Sequence, residues 1–202
     1  MGWVALGCYA LYLAIAFGLR TAIQIRRTGS SGFKGLVGAP GLLGRAAGVL
    51  VVLALGGGVA APVLEIADAL EPVGALDGTG GHIAGLILVA LGIGFTFHAQ
   101  LAMGASWRIG VDASERTELV TDGPFARVRN PIFSSMLVTG LGLVLLVPNV
   151  VALAGFAALL VALEVQVRLV EEPYLRQVHG DDFAAYTTRA GRFLPLVGRR
   201  PA

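Results

Sequence analysis

Two short polar stretches hold residues whose types and spacing suit chemistry. The first is Asp122-Gly123-Pro124, followed by Arg127, Arg129, Asn130 and Pro131; the second is Glu164, Arg168, Glu171 and Glu172. Asp-Gly-Pro is a tight-turn signal, so the guanidinium of Arg129 and the amide of Asn130 follow a defined turn. In the second stretch Arg168 lies at i+4 from Glu164, with Glu171 and Glu172 at i+3 and i+4 from Arg168. That spacing puts Glu164, Arg168 and one later glutamate on one helical stripe. Ionisable groups at the end of an apolar run are costly unless partnered. The stripe reads either as a structural ion-pair ladder at a membrane surface or as a site for a charged ligand at the lipid boundary. Arg129-Asn130-Pro131 reads either as a basic flank with a helix-starting proline or as donors aimed at a polar ligand.

Soluble-enzyme motifs are absent: no G-x-G-x-x-G after a strand, no P-loop, no H-E-x-x-H and no G-x-S-x-G. His82, His98 and His179 are too scattered for a metal-ligand pattern, and His98 is expected to pack between helices. The single cysteine, Cys8, rules out an intramolecular disulfide and a Cys-rich metal site.

The elements that must position these groups are apolar. Of 202 residues 55% are hydrophobic and 14% charged, against about 25% charged in an ordinary soluble domain. The mean hydropathy is +0.77. A membrane span needs roughly 20 apolar residues, and five candidates are present, near 3–25, 41–64, 82–103, 131–147 and 150–170. Pro148-Asn149 leaves almost no loop between the last two, which predicts a tight antiparallel hairpin. The opening residues "MGWV" lack a basic n-region and the first apolar run is long, so it reads as a retained helix. Gly44-x-x-x-Gly48 and Gly81-x-x-x-Gly85 have spacing that lets helices approach closely.

All 15 basic residues lie in or beside the first connection, the third connection or the C-terminal segment, whereas the second connection carries Glu65, Asp68, Glu71 and Asp77 and no base. With five spans these basic residues share one side. The positive-inside rule then puts the N-terminus outside and the C-terminus, with both polar stretches, in the cytoplasm of a bacterial-type cell. Topology thus accounts for the basic residues without a nucleic-acid partner. Pro173 suits the first turn of a helix whose positive end meets Glu171 and Glu172. Gly180 should stop that helix, and Gly191 should end a second one over 183–190. The expected fold is all-α: a polytopic integral membrane protein of five transmembrane helices, 1–103 supplying the first three. The remainder, 104–202, adds the hairpin and a cytoplasmic cap made of the 3–4 loop and a C-terminal helical tail.

The stretch "LVTDGPFARVRNPIF" resembles the L-V-T-x-G-P-Y-x-x-V-R-H-P-x-Y signature of the isoprenylcysteine carboxyl methyltransferase family. "RLVEEPYLRQVHGDDFAAYTTRAGRFLP" is similar to the same family's E-E block, which ends in R-[FW]-x-P. Phospholipid N-methyltransferases and bacterial thiol S-methyltransferases share both blocks. The resemblance extends over residues 104–195. It implies a membrane enzyme that uses S-adenosylmethionine without a Rossmann domain, with the cofactor pocket at the cytoplasmic end. Carried over by position, Leu119, Val120, Gly123, Pro124, Arg129, Asn130, Pro131 and Phe133 would hold the cofactor from the first block. Glu171, Tyr186, Arg192, Phe193 and Pro195 would do so from the second. Asn130 stands where the family has histidine, and Phe133 where it has tyrosine. Glu172 and Arg168 are the expected catalytic residues, Glu172 facing the cationic sulfonium and Arg168 steering a polar acceptor head. The acceptor would be a lipophilic or membrane-partitioning molecule with a carboxylate, thiol, hydroxyl or amine. An NADPH-dependent membrane reductase of the steroid 5α-reductase type, which has a related C-terminal region, and a non-enzymatic membrane protein are the competing readings.

Overall fold

The computed structural model describes residues 1–33, 41–108 and 118–200. Lys34, Arg116, the end of the first connection and the middle of the polar insert lie outside the described residues. Helix α1, Gly2–Thr28, contains a π-turn at Ala14–Leu19. It is followed by α2 (Gly41–Ile66), α3 (Thr79–Ala102) and α4 (Pro131–Leu146). The last two helices, α5 (Val150–Gln166) and α6 (Glu172–Arg189), run on through a π-turn at Val167–Glu171.

Among the described residues, four helical segments are long and apolar enough to cross a membrane: Gly2–Thr28, Gly44–Ile66, Thr79–Ala102 and Val150–Arg189. The helix expected as a fourth span is shorter, with 16 residues. At 1.5 Å per residue it reaches about 24 Å, less than the ~30 Å hydrocarbon core. Its ends are set locally. Pro131 occupies the first turn, where a missing N–H costs nothing. Asn149 caps α5, its side chain accepting from Val151 N and Ala152 N at 3.1 and 3.0 Å. The same amide donates to the Ala61 carbonyl at 3.0 Å, tying the turn to α2.

Although α4 and α5 are joined by a tight turn, α4 packs mainly against α3, and α5 against α2. The α3–α4 seam is a glycine contact. A Cβ on Gly85 would stand 2.8 Å from the Gly142 carbonyl, and one on Gly142 would stand 2.8 Å from the Gly85 carbonyl. The buried stripe of α3 is Gly85, Val89, Gly92, Thr96 and Ala99. His98 falls off that stripe and is exposed, not packed between helices; two residues past Thr96, the helical turn carries it to the opposite face.

The two ends of the bundle differ in charge. At one, the Met1 amine meets Glu65 at 2.9 Å, His82 meets Asp77 at 3.2 Å, and Val73 N donates to the Pro148 carbonyl at 2.6 Å. At the other lie the C-terminal ends of α1 and α3, the start of α4, and α6. The described basic residues gather at this second end.

Candidate active site

The polar turn before α4 forms as its residues dictate. Phe125 N donates to the Asp122 carbonyl at 3.0 Å, and Gly123 takes φ +57°, a conformation that favours glycine. Tyr186 of α6 ties its hydroxyl to the Phe125 carbonyl at 2.6 Å. Burial pushes that phenol up to about 12, so it stays a donor. The chain then pairs with the C-terminal segment in parallel at Val128–Gly191. Arg129 N donates to the Gly191 carbonyl at 2.8 Å, Gly191 N to Arg127 at 3.0 Å and Asn130 N to Arg192 at 3.1 Å. The Asn130 side chain donates to the Arg192 carbonyl as well, at 3.0 Å, and Ser134 Oγ to that of Phe193 at 2.5 Å. Gly191 has no room for a side chain: a Cβ would lie 1.9 Å from the Leu194 carbonyl. The two blocks singled out in the sequence thus form one piece of backbone.

Arg129 and Glu172 lock this piece. Arg129 Nη1 donates to the Ala190 carbonyl, and Nη2 to the Gly198 carbonyl and to Glu172 Oε1, both at 3.0 Å. Glu172 also accepts from Arg192 Nε and Nη2 at 2.7 and 3.0 Å and from Arg200 Nη2 at 2.9 Å. Burial would raise the Glu172 pKa, but the guanidiniums of Arg192 and Arg129 outweigh it and hold the carboxyl below its ordinary value. The expected i, i+4 partner is not one of these. Arg168 pairs with Glu164 on an exposed face. The intervening π-turn is the reason: i→i+5 bonding inserts a residue into the helical count and rotates the next turn about the axis, carrying Glu172 inward.

Beside this lock lies a cavity of about 890 Å³. Of the residues singled out in the sequence, Leu119, Val120, Arg129, Asn130, Pro131, Phe133, Glu171, Glu172 and Tyr186 line it. Gly123 and Pro124 build the turn, and Arg192, Phe193 and Pro195 form the strap across the start of α4. Among the described residues these five and Arg168 lie outside its wall. The carboxyl group that faces the cavity outside this lock is on the neighbouring residue. Glu171 is half-buried, its open side being the cavity, with Gln166 Nε2 at a long 3.5 Å. Burial pushes its carboxyl up to about 7, against the smaller opposing pull of Gln166 and Arg108.

Sequence reading missed most of the deeper wall. Tyr9, Tyr12, Leu13 and Phe17 of α1 and Val51 and Leu55 of α2 line it, so the cavity runs from the two polar blocks in among the apolar helices. The first helix also anchors the start of the insert. Arg20, fully buried, donates to the Gln100 and Gly104 carbonyls at 3.3 and 2.6 Å and lies over Trp107 at 4.5 Å. Gln24 donates to Ala105 at 2.9 Å. Two polar residues one turn apart in an otherwise apolar span were the available signal.

The polar end of the cavity suits a charged, nucleoside-like group. Arg129 Nε and Gln166 Oε1 are buried without hydrogen-bond partners among the described residues. Trp107, Phe125, Tyr174 and Phe183 offer aromatic surface, and Glu171 offers a carboxylate beside Arg108. The model of the phospholipid methyltransferase family matches residues 81–182, from α3 through the first half of α6. No curated protein matches the chain.

Proposed function

From the premise that the chain belongs to the phospholipid methyltransferase family, a family of membrane methyltransferases, we propose that it transfers a methyl group from S-adenosylmethionine to a lipophilic acceptor. The observation that carries this reading is the one continuous cavity, polar and charged at the cap and apolar between α1, α2 and α5. When bound, S-adenosylmethionine supplies an activated methyl on a cationic sulfonium. Methyl transfer to a carboxylate, thiol, hydroxyl or amine is an in-line displacement that needs alignment and exclusion of water. Arg129 Nε and Gln166 Oε1 supply the unspent hydrogen-bonding capacity, and the aromatic side chains exclude water. Glu171, with a carboxyl near neutrality, provides the negative charge that faces a cation. Glu172 and Arg129 position the wall by locking the two blocks together. Arg168, at the exposed edge with Glu164, is left to guide polar head groups at the membrane surface.

In this reading the short α4 crosses as a fifth span within the bundle, the N-terminus is outside, and the cap faces the cytoplasm. The basic end of the molecule supports that orientation. NADPH fits less well. A 2′-phosphate calls for free guanidiniums, and Arg129, Arg192 and Arg200 already converge on Glu172. Equilibrium binding of tritiated S-adenosylmethionine and of NADPH to the purified protein tests the proposal. Saturable binding of the first and not the second is expected; the reverse result, or binding of neither, overturns it.

A further inference from the structure

Away from the two polar blocks, the wall of the cavity carries polar groups that the proposed function does not use. On α1, Tyr12 is followed at i+4 by Ala16; on α3, Thr96 is followed at i+4 by Gln100. The two stripes face each other. Gln100 Nε2 donates to the Ala16 carbonyl at 2.9 Å, and the hydroxyls of Tyr12 and Thr96 stand opposite one another. Tyr12 is 6% exposed, Thr96 1% and Gln100 3%. Among the described residues Gln100 Oε1 has no hydrogen-bond partner, and the Tyr12 and Thr96 hydroxyls lie close enough to interact with each other but form no well-aligned hydrogen bond. Tyr9, one turn earlier, ties its own hydroxyl to the Leu55 carbonyl at 3.0 Å. Buried polar atoms are nearly always paired, so Gln100 Oε1 and the Tyr12–Thr96 hydroxyl pair leave hydrogen-bonding capacity for a further group.

Tyr12 and Gln100 both line the cavity, as does Met136 of α4, which packs against the Tyr9–Tyr12–Ala16 cluster. Thr96, beside Tyr12, is not itself among the lining residues. We propose that Tyr12, Thr96 and Gln100 form a station for a hydroxyl group on a lipophilic ligand of this cavity. That the ligand is the methyl acceptor rests on the function proposed above; the hydroxyl station itself does not.

The donor set selects the class. Gln100 Oε1 can only accept, whereas the hydroxyls of Tyr12 and Thr96 can donate. An alcohol or phenol satisfies both sides, donating to Gln100 and accepting from Tyr12 or Thr96. An ether or ester oxygen accepts only and leaves Gln100 Oε1 bare, and a hydrocarbon satisfies neither side. A site with buried polar groups rejects an analogue that lacks the matching hydroxyl, because those groups stay unpaired.

The test uses the full chain in lipid nanodiscs without cofactor and three radiolabelled probes: 4-dodecylphenol, its methyl ether and dodecylbenzene. Uptake is measured by equilibrium dialysis against empty nanodiscs. The phenol should bind saturably and about tenfold or more tighter than the ether, the scale expected when a polar group is left unpaired. Tyr12→Phe and Thr96→Val, each shape-conserving, should each reduce that preference, and together abolish it at an unchanged melting temperature. If one variant does not fold, the other carries the same readout. Equal uptake of phenol and ether, no saturable uptake, or a preference untouched by the substitutions overturns the proposal and leaves a structural water as the partner. S-adenosylmethionine binding is measured on the same preparation. Its absence with the phenol preference intact removes the methyltransferase reading and leaves the station standing.

Discussion

Glu172→Gln keeps the side-chain shape and removes the charge on which three guanidiniums converge. The side chains of Arg129, Glu172 and Arg192 are 3%, 5% and 11% exposed, whereas that of Arg200 is 43% exposed. An exposed pair contributes about 0–1 kcal/mol, so the effect falls on Arg129 and Arg192. A glutamine accepts through one oxygen and presents its NH2 to a guanidinium N–H. Breaking a buried pair from one side costs about 3–5 kcal/mol, because the remaining charge is left uncompensated. At roughly 2–4 °C per kcal/mol for a chain of this length, the melting temperature should fall by about 6–20 °C. Arg200→Gln should move it by no more than about 4 °C. The assay is thermal melting in nanodiscs, with protease resistance of the C-terminal segment as the local readout. The sign with pH follows from the lowered Glu172 pKa. A depressed carboxyl contributes stability that is complete above the unfolded value, about 4.5, and is lost as pH falls through the folded value. The gap between wild type and Glu172→Gln should therefore close on acidification and stay open on the alkaline side. The charge swap Arg168→Glu/Glu172→Arg should not restore stability, because the two side chains do not meet. A Glu172→Gln protein that melts within about 1 °C of wild type at neutral pH, or full rescue by the swap, would refute the reasoning.

Glu171 should make cofactor affinity pH-dependent. Its carboxyl, pushed up by burial to about 7 and faced by Arg108, Glu172 and Gln166, must lose a proton to oppose a cation. Titration calorimetry should show S-adenosylmethionine binding tighten as pH rises through that value and show no such trend in Glu171→Gln; parallel profiles would remove Glu171 from the site. Without cofactor the sign reverses. A raised carboxyl leaves stability greatest below its unfolded value near 4.5 and erodes it as pH climbs toward the folded one, so the melting-temperature advantage of Glu171→Gln over wild type should open above about 4.5 and be complete above about 7. For orientation, in a Cys8→Ala background Gly74→Cys should react with an impermeant maleimide from outside and Gln177→Cys only after permeabilisation. The opposite pattern would invert the proposed topology.

The boundaries of α4 and the kink in α6 were legible because their causes are local. Pro131 starts a helix wherever it stands, Asn149 caps the next one, and Gly180 interrupts α6 with φ 49° and ψ −119°. The union of the two polar blocks was legible only as a resemblance, since nothing in the spacing of Arg129 and Arg192 says that they share a carboxylate. The partners of Glu172 lie 43, 20 and 28 residues away, beyond any helical periodicity. The expected Arg168–Glu172 pair failed because an α-helical count was carried across a π-turn. His98 was misplaced because an apolar run offers no marker of which face meets a neighbour.

By itself, then, the sequence determined which segments are apolar enough to enter a bilayer, the helical state of the apolar runs and the gathering of charge at one end, all of which depend on composition and on residues within a turn of one another. Only the tertiary structure decided that α4 is held against α3 by paired glycines, that Glu172 is spent on three arginines while Glu171 faces the cavity, and that Gln100 of α3 reaches Ala16 of α1 beside Tyr12 and Thr96. Those outcomes depend on which side chains of different helices are brought within hydrogen-bond distance, and that is set by packing across the bundle.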